Sequence, residues 1–81
     1  MEDTFDIIVS YKGSEQIFTA TLLPFTYSYK IEVDVNGCIF WFERDNDEAW
    51  RGVLKNELPD ATKPESELIR LIGMQIHDYF Q

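Results

Sequence analysis

The sequence predicts an α+β protein, an antiparallel β-meander of four to five strands with one C-terminal α-helix packed on one face. Three observations carry that expectation. Residues 27–35, "YSYKIEVDV", alternate apolar Tyr27, Tyr29, Ile31, Val33 and Val35 with polar residues, the period-two pattern of a strand with one buried face. Asn36-Gly37 follows at once, and because both central residues of a type I′ turn need positive φ, this pair is a strong hairpin signal. Near the C-terminus the period changes to that of a helix, with Leu68, Ile69, Leu71, Ile72, Ile76, Tyr79 and Phe80 on one half of the wheel.

Taken in order, the first strand is "TFDIIVSY", with Phe5, Ile7, Val9 and Tyr11 alternating. Lys12-Gly13-Ser14 separates it from "EQIFTATLL". The periodicity of this second strand (15–23) is mixed, so either Ile17 and Leu23 or Phe18, Ala20 and Leu22 face inward. Pro24-Phe25-Thr26 turns the chain into the third strand. A two-residue turn at Asn36-Gly37 then sets the register: Val35 opposite Cys38, Val33 opposite Phe40, Ile31 opposite Phe42. Those residues share the inner face, and Asp34 opposite Ile39 and Glu32 opposite Trp41 share the outer one. A second hairpin is expected through Asp45, Asn46, Asp47 and Glu48 into "AWRGVL", with Trp50 and Leu54 inward and Arg51 and Val53 beside Trp41 and Ile39. "KNELPDATK" reads as a connector. Thr62 and Glu65 have capping-box spacing, with Pro64 in the first turn of a helix that runs to about Tyr79. Ser66, Arg70, Met74, His77 and Asp78 fall on the polar half of that helix.

The run "VDVNGCIFWFERDNDEAWR" resembles short uncharacterised bacterial proteins built as a β-meander with a C-terminal helix. The resemblance implies the same fold and brings no activity, cofactor or site residue with it.

At 81 residues the chain is expected to form a single domain over 1–81, able to bury roughly 60% of its unfolded surface. Its 44% hydrophobic and 15% aromatic content is that of a folded protein. A formal charge of −8 repels nucleic-acid phosphates and anionic lipid, so direct nucleic-acid or membrane partners are not expected. The N-terminus is acidic where a signal peptide would be basic, and no segment approaches the roughly 20 apolar residues of a membrane span. A single cysteine, Cys38, fits a reducing compartment, and a cytoplasmic location is expected.

Catalytic chemistry finds little footing. Counting a calcium loop from Asp45 puts Trp50 where glycine is needed and Asn56 where glutamate is needed. The acidic stretch therefore reads as a solvated turn. Cys38 points inward and His77 outward on the helix, so the two do not make a nucleophile and base. One cysteine and one histidine fall short of a zinc site, and Gly13, Gly37, Gly52 and Gly73 are too scattered for a phosphate loop. No catalytic, cofactor-binding or metal residue is assigned, and no enzyme activity is expected.

The outer sheet face remains. Trp41 is expected to stand substantially exposed there with Ile39, Arg51 and Val53, a patch of the residue types that dominate interfaces. The leading expectation is a non-catalytic protein-interaction module binding a protein partner or a second copy through this patch. The bland alternative is an ordinary surface tryptophan shielded by long neighbours, with Arg51 stacked on its ring. The rival function is an acidic mimic of nucleic acid that occupies a basic site on another protein.

Overall fold

Two positive-φ pairs organise the sheet in the computed structural model, which describes residues 3–26, 28–44 and 49–80. Lys12 and Gly13, at φ 50° and 78°, join β1 (Thr4–Tyr11) to β2 (Ser14–Pro24), and Tyr11 pairs with Ser14. Ser14 thus belongs to the strand, and the turn is one residue shorter than its composition suggests. Asn36 and Gly37, at φ 55° and 90°, join β3 (Tyr29–Val35) to β4 (Cys38–Arg44) in the expected register. The Asp34 carboxylate accepts from the Gly37 N–H at 2.9 Å. A Cβ on Gly37 would meet Ala61 at 3.0 Å, so this position needs glycine for its φ and for its neighbour.

β5 (Trp50–Glu57) completes a five-stranded antiparallel meander in the order β1-β2-β3-β4-β5, and α1 (Ser66–Tyr79) covers one face. The inner face is continuous. Ile7 pairs with Phe18, Ala20 with Val33, Val33 with Phe40, and Ile31 with Phe42, all buried. This decides the second strand in favour of Phe18, Ala20 and Leu22, because antiparallel pairing to β1 and β3 places those residues beside Ile7 and Val33. Ile17 faces outward at 61% exposure.

Leu68, Ile72, Gly73 and Ile76 are the buried residues of α1. The helix backbone comes near β1 and β5, the two edge strands, so the sheet curls toward the helix at both margins. Near one end of the helix the two layers are joined by aromatic rings: Phe5 stacks on Tyr79 at 4.1 Å between centroids, and Phe80 lies 5.7 Å from Tyr29 and 5.9 Å from Trp50. Tyr29, Tyr79 and Phe80 keep an exposed side, so they form a rim, not the interior positions that alternation and the wheel assign them. Tyr27 and the stretch 45–48, on which the expected strand start and acidic turn fall, lie outside the described residues.

Three other expectations are corrected. β5 runs through Glu57, so Lys55, Asn56 and Glu57 are strand and not connector. Phe40 pairs with Leu54 but Ile39 with Asn56, which leaves Lys55 as the extra residue of a bulge. The capping box is not made: Glu65 occupies the N-cap position with no side-chain capping bond, and its carboxylate receives Lys12 Nζ at 2.5 Å from the β1–β2 turn. The Thr62 N–H donates to the Asn36 carbonyl, which ties the connector to the β3–β4 turn. Among the described residues, no helix is long and apolar enough to cross a membrane.

Candidate functional site

The outer face is built by the strand register. Glu32, Trp41 and Val53 form one row across β3, β4 and β5, and Lys30, Glu43 and Arg51 form the next. The four residues singled out from sequence, Ile39, Trp41, Arg51 and Val53, do lie on this one face.

Trp41 is not the exposed ring that alternation alone predicts. It is half-buried, and its three kinds of surface each meet a neighbour. Nε1 donates to the Glu32 carboxylate at 3.0 Å. Lys55 Nζ stands 4.9 Å above the ring, and the Phe25 ring lies 5.9 Å away. Lys55, not Arg51, is therefore the cation on the indole, because the bulge at Lys55 departs from simple alternation. Arg51 reaches Glu43 instead, at 3.6 Å. Neither Lys55 nor Phe25 was legible as a neighbour of Trp41, since one sits on a bulge and the other outside any strand.

The face extends further than the four residues. Ile8 pairs with Ile17 on β1 and β2, and they are 50% and 61% exposed. Phe25 is 45% exposed, and Leu23 lies partly buried opposite Lys30. The signal for Ile17 was present in the mixed periodicity of the second strand, but it pointed equally well inward.

Glu43 anchors the ion pairs of this face. Lys30 hydrogen-bonds it, and with Arg51 nearby holds its carboxyl below the ordinary carboxylate value of 4.5. A folded-state pKa lower than the unfolded one stabilises the fold above the ordinary carboxylate range, and that contribution disappears as the pH falls through the lowered value. Glu43→Gln is accordingly expected to lower the urea midpoint at neutral pH and to match wild type in acid. A difference between the two proteins that stays constant down the pH series would remove the ion pairs as its cause.

Elsewhere, among the described residues, the titratable groups do not converge. Cys38 is fully buried, its Sγ 3.8 Å from the Thr62 carbonyl oxygen, and burial first, then Glu57, pushes its thiol pKa up. A raised pKa keeps sulfur protonated, the reverse of an activated nucleophile. His77 lies in the last turn of α1 beside a cleft with Met74 and Asp78. No three His, Cys, Asp or Glu side chains converge as metal ligands among the described residues. The chain matches no family model, no curated protein and no solved structure.

Proposed function

We propose that the protein is a non-catalytic, cytoplasmic protein-interaction module whose contact surface is the outer sheet face around Trp41, with a second copy of the chain as its simplest occupant. The observation that carries this reading is the uncovered face itself. One helix covers one side of five strands, and the other side keeps Ile8, Ile17, Phe25 and part of Trp41 in solvent. Apolar surface that spans several strands is a feature of association surfaces. The charges of the face are mixed, Lys30, Arg51 and Lys55 against Glu32, Asp34 and Glu43, so a two-fold axis can set unlike charges opposite each other despite the net −8.

The acidic-mimic reading has less support. Glu43 already receives Lys30 and Arg51, and Glu32 already receives Trp41, so these two acids at the centre of the face are engaged from within. A buried cysteine in a chain with no second one fits the reducing cytoplasm.

Sedimentation over a concentration series tests the proposal. Wild type is expected to self-associate. Trp41→Ser should abolish association, and Met74→Ser, on the opposite side of the molecule and also exposed, should leave it unchanged. A wild type that remains monomeric at high concentration would remove self-association through this face, and a dimer that survives Trp41→Ser would place the interface elsewhere.

A further inference from the structure

The margin of the sheet beside α1 has a different chemistry from the outer face. β5 is an edge strand, and among the described residues no backbone hydrogen bond reaches Arg51 to Asn56 from the side away from β4. Such an edge presents unpaired donors and acceptors to solvent. A groove of about 610 Å³ runs along it, between β5 and the start of α1. Trp50, Arg51, Gly52 and Leu54 of β5 line it, with Ala49 just before the strand. Leu54, 38% exposed, and Ile69 supply apolar floor. Leu54 was expected in the core. It is left open because β5 continues past it along β4 while α1 approaches the strand nearer to Gly52 and Trp50.

Charge distinguishes this groove from the rest of the molecule. Three of the seven basic residues of the chain, Arg51, Lys63 and Arg70, line it, and no described acid does. Lys63 makes no ion pair with a described residue, while Arg51 is shared with Glu43 and Arg70 with Glu67. The opposite margin is the reverse: the clefts between β1 and α1 are lined by Asp3, Asp6 and Asp78. In a chain of net charge −8, a basic groove beside an unpaired edge is complementary to an anionic strand.

We infer that the β5–α1 groove binds an extended acidic peptide segment of another protein, which adds to β5 as a sixth strand with alternate apolar side chains seated over Leu54 and Ile69. A second folded copy does not fit this role, acidic though its β1 edge is. The inward side chains of that strand, Ile7 and Val9, are already buried in their own core and cannot enter the groove. A free peptide has alternate side chains to offer to the floor, and its backbone supplies the missing ladder. The groove shares only Arg51 with the outer-face site, and Trp41 lines no part of it.

The test uses a dye-labelled octapeptide that alternates valine with glutamate, titrated against the whole chain by fluorescence anisotropy and by amide chemical shifts. Saturable binding is expected, weakening with added salt, with the largest shifts at Arg51 to Leu54 and on the first turns of α1. The alternating valine-lysine peptide should not bind, and neither should the valine-glutamate peptide with its strand-pairing amides N-methylated. Lys63→Glu combined with Leu54→Glu, both at exposed positions, should weaken binding about tenfold or more. Trp41→Ser should bind as wild type does. Absence of saturation at millimolar peptide, equal binding of the lysine or N-methylated peptide, loss of binding in Trp41→Ser, or shifts centred on β1 would each overturn the inference.

Discussion

Phe42→Ala is expected to destabilise the protein by about 3 to 5 kcal/mol, the range for truncating a buried aromatic ring. The side chain is fully buried, and its ring meets both layers: an added Cβ at Gly52 would stand 3.0 Å from it, and one at Gly73 3.7 Å. Strand and helix therefore close around the same ring, and neither can move into the space without losing its other contacts. A chain of this size has only about 4 to 12 kcal/mol of stability in total, so the variant should be partly unfolded at ordinary temperature. Urea melts of Phe42→Ala beside Trp41→Ala decide the matter. Trp41 loses less on truncation because its ring is only half-buried. Equal losses for the two would mean that the outer face is as well packed as the inner one.

Gly73→Ala carries the second large effect, and its sign is set by two opposing terms. Alanine is the better helix former by about 1 kcal/mol, so an exposed mid-helix glycine would gain from the change. Gly73 is buried, however, and a Cβ there would stand 2.6 Å from the Trp50 carbonyl oxygen, a backbone atom that cannot rotate away. Either α1 lifts off β5 or the strand shifts, and overpacking of this kind costs about 1 to 3 kcal/mol, which outweighs the propensity gain. A lowered thermal midpoint for Gly73→Ala, with Met74→Ala near wild type, is the expected pair of results. A raised midpoint would show that the helix shifts at little cost and that the close approach to β5 is not a constraint on the fold.

The path from Ile31 to Phe42 was legible because local rules agree there. Alternation assigned the faces, and the Asn36-Gly37 turn left only one register. Ile39 and Trp41 could be placed on the outer face for the same reason, and Arg51 and Val53 joined them only on the expectation that the second hairpin keeps the faces consistent. What surrounds Trp41 was not legible. Phe25 reaches it from an irregular segment, and Lys55 from a bulge whose extra residue no local composition marks. The basic groove escaped notice too, since Arg51, Lys63 and Arg70 are far apart in sequence and carry no common spacing.

By itself, the sequence determined the fold class, the β3–β4 register and the inward placement of Phe40, Phe42 and Trp50. These follow from turn chemistry and side-chain period, which act over a few residues. Tertiary structure alone decided that Phe18 and not Ile17 faces the core, because both alternations are self-consistent until β1 and β3 pair on either side. It also decided that Glu65 answers Lys12 and not its own helix N-terminus, since a cation delivered by the β1–β2 turn competes with a neutral backbone donor for the same carboxylate. Leu54 became the floor of a groove for a related reason: burial requires a covering element as well as an inward direction, and α1 crosses β5 nearer to Gly52 and Trp50.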